Sequence, residues 1–270
     1  MDYLGREGAP ISAELWDAID GAVVSTAKET LVGRRFLPLH GPLGPGVGIA
    51  AVDQPGKQEV FENGFAVAAS RTVLQIPQLY QDFWILWRDL EEAARVGVPL
   101  DVSGARQAAQ AISRREDEMV FYGVKSLGID GLLTAKGSLS VKRSNWEEGE
   151  GAFADVVAAV TLLQQKGRYG KYTLVVSPDL YVQLQRIQPG TGILESERVK
   201  KLVDGKLYMS TVLQAKTALL VCAQPQFMDL AVGQDISTAY TEQVDLNHHL
   251  RILETAVPRI KAPDAIVVIK

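Results

Sequence analysis

A chain of 270 residues, 47% of them hydrophobic, is long enough for one large domain or two of ordinary size around a real core, which excludes a disordered polypeptide. Its net charge of -4, with Lys and Arg dispersed, leaves no basic stripe, so nucleic acid is not an expected partner. It contains no run of eighteen apolar residues, the opening MDYLGREGAPIS lacks both regions of a secretory signal, and the single Cys222 cannot close an intrachain disulfide; the expectation is a reducing cytoplasm and no membrane partner.

Ser12 to Thr30 has the pattern of an amphipathic helix capped by Ser12, with Glu14 in its first turn. Trp16, Ile19, Val23, Ala27 and Leu31 lie along one side, a face that must be covered. The following GRRFLPLHGPLGPGVG is a Gly/Pro-punctuated arm without long regular structure. GIAAVDQPGKQEVFENGFAVAA reads as two strands around the turn formers Asp53, Gln54, Pro55 and Gly56. A projecting hairpin is marginal in water and needs a partner, such as another copy of the chain.

Tyr80, Phe83, Trp84 and Trp87 crowd the next segment. The three-residue spacing of Trp84 and Trp87 gives one face of a helix or opposite faces of a strand, and both readings stay open. Asp101 to Leu127 is predicted as one long helix with Ala105, Ala108, Ala109, Ile112, Met119, Val120 and Leu127 on its apolar side. Asp101 or Ser103 starts it and Gly128 stops it, for a length of roughly 40 Å. Glu116 falls within the apolar stripe, either paired to an arginine at the helix margin or facing a neighbouring subunit.

Helices are expected at Phe153 to Gln165, at Pro178 to Arg186 after Ser177, and at Leu194 to Val203, with a buried strand TLVVS at 173–177. QPGTG at 188–192 reads as an exposed tip of this α/β lobe. ALLVCAQ, MDLAVGQDIS, TAYTEQV, HHLRILETAV and AIVVIK are strand-like, separated by turn signals at Pro225, Gly233, Asp245 and Pro263. Cys222 is a small core residue in the first of them, and the last is expected to be held in a sheet.

Chemistry is sparse. The histidines are His40, His248 and His249, and an adjacent pair in a strand points to opposite faces and cannot grip one metal. No Cys-x-x-Cys, HExxH, Walker loop, Gly-x-Ser-x-Gly or dinucleotide fingerprint occurs, and the prolines of GPLGPGVG replace the amide donors a phosphate cradle would use. The expectation is no catalytic residue, no metal and no enzyme activity.

The blocks MDYLGREGAPIS, LWDAIDG, TLVGRRFLPLHGPLGPGV, AISRREDEMVFYGVKSLGIDGLL and LAVGQDISTAY, kept in this order, resemble encapsulins, nanocompartment shell proteins of bacteria and archaea from the family once labelled linocin-like bacteriocin. The resemblance covers essentially the whole chain. It implies an α+β chain with the Hong Kong 97-type phage major-capsid fold. Residues 1–40 would be an N-terminal helix and arm on the inner wall, and 41–76 an extended loop, with the projecting hairpin at roughly 48–68. Residues 77–131 and 225–270 would be a peripheral domain with spine helix 101–127, and 132–224 an axial domain. Family members receive a C-terminal targeting peptide of a cargo enzyme on the inner wall; carried onto this chain, that groove takes Ala27, Leu31, Arg34, Leu39, Leu230, Val232, Asp235 and Ile236. Extended apolar tails suit such pockets, and many shell copies would add avidity. Charge reversal of Arg34, or Asp at Leu31, is then expected to leave shells intact but empty.

The same resemblance makes Gln188, Pro189, Gly190, Thr191 and Gly192 a candidate pore rim. It offers Trp87 as a stacking platform for flavin, which some family members bind; its neighbours WILWRDL depart from the family pattern, so no cofactor is expected. Partners would be many copies of itself in an icosahedral shell plus the cargo, commonly a ferritin-like iron oxidase or dye-decolourising peroxidase, which implies iron storage or oxidative-stress defence. The alternatives are a phage capsid protein and a secreted bacteriocin or protease.

Overall fold

The computed structural model describes residues 2–53, 59–68, 71–188, 192–204 and 206–270. Ser12 Oγ accepts the Leu15 amide at 3.4 Å and opens α1 (Ala13–Thr30), as expected. One 3-10 turn, Gly33–Arg35, leads to β1 (Leu39–His40). The arm then forms β2 (Ile49–Asp53), β3 (Glu59–Glu62), β4 (Phe65–Ala68) and β5 (Arg71–Gln75). β2 pairs antiparallel with β5, and β3 with β4. The chain reverses at Asn63 and Gly64, whose φ values of 51° and 82° fit the two-residue turn that Asn-Gly favours. The strands on either side of the expected turn at 53–56 thus pair elsewhere and not with each other; Asp53 ends β2, and Gln54, Pro55 and Gly56 lie outside the described residues.

Next come β6 (Gln78–Ile85), α2 (Trp87–Val96) and α3 (Ser103–Tyr122). The open choice for Trp84 and Trp87 resolves as neither alternative, since Trp84 ends a strand and Trp87 begins a helix. Asp101 supplies the start of α3, accepting the Ser103 amide at 2.8 Å. The helix stops at Tyr122, well short of Leu127, and at 20 residues spans about 30 Å. Gly123 imposes the stop: at φ 73° and ψ −171° it takes a conformation closed to side chains, and a Cβ there would lie 2.1 Å from the Ile129 carbonyl oxygen. β7 (Gly123–Val124) pairs with β8 (Ile129–Asp130) around one 3-10 turn that Gly128 closes.

The second lobe holds β9 (Leu139–Val141), α4 (Gly151–Gln165), β10 (Thr173–Val176), α5 (Pro178–Gln183), α6 (Glu195–Leu202), β11 (Leu207–Met209) and β12 (Ala218–Val221). Trp146 is fully buried in it, its indole N–H donating to Asp155 at 2.8 Å. The chain then returns through β13 (Met228–Val244) and β14 (Asn247–Ile260), and ends on β15 (Ile266–Ile269). β13 is one strand of 17 residues; Gly233, expected to be a turn, sits at a register shift instead. A Cβ at Gly233 would meet Thr255 Oγ1 at 2.5 Å, so only glycine lets the strands close there.

Two main sheets result. The first, ordered β1-β13-β14-β6, lies against α3, which also covers the apolar face of α1, so Trp16, Ile19, Val23, Ala27 and Leu31 are buried within their own chain. The second, ordered β11-β10-β12-β15-β9, carries the other lobe. β15 is held between β12 and β9, as a strand held in a sheet should be, which transfers residues 266–269 from the grouping 225–270 to the lobe of 132–224. Cys222 is buried just past β12, and one hydrophobic core runs through both lobes.

Gly123→Ala combines a strained φ with a backbone clash, so it should cost about 3 kcal/mol or more. Thermal melting of the purified variant checks this; a melt within a degree or two of wild type would refute the role assigned to Gly123.

Candidate functional site: a groove beside a partly buried arginine

The 3-10 turn after α1 is pinned to α3 by Asp117, whose carboxylate accepts the amides of Val32 at 2.9 Å and Gly33 at 2.8 Å. This turn aims Arg34 between α3 and the first sheet. Arg34 donates through Nε to Glu116 at 2.9 Å, through one terminal nitrogen to Glu116 and Glu254, each at 2.6 Å, and through the other to Asp235 at 2.6 Å. The Glu116 and Glu254 side chains are wholly buried, while that of Asp235 stays 63% exposed. Burial pushes the Glu254 carboxyl well above the usual range, and the negative charge of Glu116 pushes the same way. Burial likewise carries Asp117 up to about 7, against the pull of its two amide donors. Glu116 is therefore paired to an arginine, but one from the arm and not from its own helix; its complete burial within the subunit overturns the alternative of a neighbour-facing carboxylate.

On the outer side of Arg34 lies a cavity of about 330 Å³ lined by Val24, Ala27, Lys28, Leu31, Arg34, Arg35, Asp235 and Ile236. It brings together five of the eight groove residues named from sequence: Ala27, Leu31, Arg34, Asp235 and Ile236. The other three are elsewhere. Leu39 is exposed on β1, away from the cavity lining. Leu230 and Val232 are buried in the core, because the first six residues of β13 are covered on both faces and do not alternate. Val24, Lys28 and Arg35 were missed, although 24, 27, 28 and 31 follow helical spacing along α1.

Charge reversal of Arg34 is not expected to spare the subunit, since three carboxyl groups surround its guanidinium. Leu31 is only 5% exposed, so an aspartate there would be buried as well as lining the groove. Gln188, placed by sequence on an exposed rim, is buried, and its amide donates to the Ile193 carbonyl at 2.9 Å near the base of the loop. Gly192 is exposed at φ 66°, while Pro189, Gly190 and Thr191 lie outside the described residues.

Trp87 borders a separate cavity of about 940 Å³ between the start of α1, α2 and the β13–β14 turn. The Arg88 guanidinium lies 5.5 Å from its ring centroid. The histidines divide as their adjacency requires: His248 Nδ1 meets the Tyr240 hydroxyl at 3.2 Å, and His249 Nδ1 meets Thr241 Oγ1 at 2.7 Å. Among the described residues, no three His, Cys, Asp or Glu side chains gather as metal ligands would.

In overall form the chain is similar to the virus-like particle from Pyrococcus furiosus, at a TM-score of 0.77 and 21% identity over 96% of this chain and 100% of that one. It is also similar to the capsid of Myoviridae phage XM1, at a TM-score of 0.62 and 11% identity over 86% and 88% of the two chains. The fold is thus the α+β fold of Hong Kong 97-type capsid proteins. Within that class, residues 1–257 match the Linocin_M18 model, described as encapsulating protein for peroxidase, and the chain belongs to that family. The type 1 encapsulin shell protein EncA of Myxococcus xanthus is 39% identical over 98% of this chain and 95% of its own length. A diheme-cytochrome-encapsulin shell fusion protein of Kuenenia stuttgartiensis is 41% identical over 95% and 72%.

Arg34→Ala leaves two buried carboxyl groups without their cation and should cost about 3–5 kcal/mol. The yield of assembled particles on size exclusion should fall with it; particles at wild-type yield and melting temperature would contradict the structural role of Arg34.

Proposed function

We propose that the protein is a non-enzymatic shell subunit whose copies close into a hollow icosahedral particle around a cargo enzyme. The observation that carries this is the arm. The outward face of β2 and β5 presents Ile49, Ala51 and Val73 to solvent, closed at one end by the Arg71–Asp53 ion pair at 2.8 Å. A two-stranded ribbon with an exposed apolar face is marginal alone and is stabilised when a second copy covers it. Closed assembly from identical contacts then gives on the order of sixty copies or a small multiple. In this reading the arm is the extended loop, α3 with the first sheet is the peripheral domain, and the second lobe, including β15, is the axial domain. The pore-rim role of residues 188–192 is part of the same proposal, with Pro189, Gly190 and Thr191 outside the described residues.

The groove beside Arg34 receives the extended C-terminal tail of the cargo. Its apolar floor of Val24, Ala27, Leu31 and Ile236 suits side chains of such a tail, and Lys28, Arg35 and Asp235 at its margins suit polar anchors. Cargo of the peroxidase type fits the family description and would give the shell a part in oxidative-stress defence; an iron oxidase, as expected from the resemblance, would make that part iron storage. The shell works in the cytoplasm without a cofactor of its own; among the described residues no helix is long and apolar enough to cross a membrane.

Two variants separate assembly from loading. Val24 is 44% exposed, so Val24→Asp should leave particle size unchanged while lowering co-purified cargo about tenfold or more; full loading would refute the groove. Ile49→Asp combined with Val73→Asp should give folded subunits that fail to close, seen as loss of the large species in sedimentation; intact particles would refute the arm contact.

A further inference from the structure

The arm leaves the first sheet at a second charged cluster, separate from the groove. Asp229 of β13 and Arg259 of β14 face each other across the strand pair, and both are buried, at 4% and 8% exposed. Arg259 donates from Nε and one terminal nitrogen to the two Asp229 oxygens, at 2.6 and 2.7 Å, and from its other terminal nitrogen to the Ala51 carbonyl of β2 at 2.9 Å. Lys261 reaches Asp229 as well, at 2.6 Å, and the Pro225 carbonyl at 2.6 Å. Asp229 is thus served by two cations, and Arg259 has one nitrogen left over for β2.

Beside this bond the root of the arm packs through Ala50 and Ile76 on Ala231, Val257 and Ile129. Apolar contacts are non-directional and let a two-stranded ribbon tilt about its base. A guanidinium fixed in its plane by two parallel hydrogen bonds is directional, and its third nitrogen admits the Ala51 carbonyl from one side only.

We propose that Arg259 is the positioning residue of the arm: fixed by Asp229, it tethers β2 at Ala51 and so sets the angle at which β2 and β5 leave the first sheet. Identical contacts close into one particle only when the rotation from each copy to the next is the same. An arm held by its apolar root alone spreads that rotation over a range. The effect on assembly rests on the reading above that a second copy covers the arm; the tether itself does not.

Arg259→Gln tests the tether. The glutamine Nε2 takes the place of the arginine Nε beside Asp229, Lys261 still serves that carboxylate, and no donor reaches Ala51. Hydrogen exchange of the assembled particles is read by mass spectrometry on peptides covering 50–53, 228–232 and 256–260 and corrected for intrinsic rates. Protection at 50–53 should fall about tenfold while the two sheet strands stay within about twofold of wild type. Unchanged protection at 50–53 overturns the tether, and so does an equal fall in all three peptides, which would make Arg259 a general support of the sheet. Where the variant yields no particles, its 50–53 peptide is compared with that of the Ile49→Asp, Val73→Asp subunits, which keep the tether and lack the neighbour; the same tenfold difference is expected. Should Arg259→Gln fail to fold, Arg259→Lys keeps the buried charge, offers one nitrogen to three acceptor oxygens, and carries the same comparison. Sedimentation velocity of the same samples reads assembly. A broadened size distribution or a loss of closed particles, together with the fall at 50–53, supports the aiming role. Particles of wild-type size and yield with 50–53 deprotected overturn that role; if Ile49→Asp with Val73→Asp still blocks closure, the arm contact itself stands.

Discussion

The turn after α1 and the groove beside it are positioned by one partly buried arginine. Arg34 reaches from the turn after α1 to α3, β13 and β14 at once, with contacts as short as 2.6 Å to three different carboxyl groups. Such a cluster adds little net stability compared with well-packed apolar side chains, because desolvation offsets most of the attraction, but it tolerates no missing partner. Its effect is geometric. With the Asp117 contacts to the Val32 and Gly33 amides, it sets where the arm leaves α3, hence where β1 joins β13 and where the groove opens.

The subunit separates surfaces it closes itself from surfaces it leaves over. The apolar side of α1 is covered by its own α3, so that helix is a fixture of the fold and not a sticky face awaiting a neighbour. Among the described residues, exposed apolar side chains remain on the outward face of the arm, at Ile49 and Val73, and on α2, at Trp87 and Val96. The family and the capsid-type fold define a shell protein, and the proposed contact between copies would use the exposed face of the arm.

Local patterns were legible in the sequence wherever one face was buried and the other solvated. The cap at Ser12, the apolar side of α1, the pairing of Glu116 with an arginine and the strand at 173–176 all followed from periodicity and capping. The failures share a cause: the deciding contact was distant in the chain. α3 ends at Gly123 because the Ile129 carbonyl occupies the space a Cβ would need, which helical periodicity does not report. Gly233 marks a bulge because Thr255 presses against it from the next strand. The turn at Asn63–Gly64 is written in the sequence as an Asn-Gly pair, which the reading of 53–56 did not consider. At the groove, Leu230 and Val232 were named through the family resemblance; the structure covers this stretch of β13 on both faces, Leu230 and Val232 in the main core and Ala231 beside Ala50, Ile76 and Ile129, contacts distant in the chain.

The central claim is that copies of this chain close on one another. Sedimentation velocity of the purified protein under mild conditions, with negative-stain microscopy of the same fraction, addresses it directly. The account predicts one narrow, very large species seen as hollow round particles. A well-folded lone subunit, sedimenting as a single chain at any attainable concentration, would contradict it.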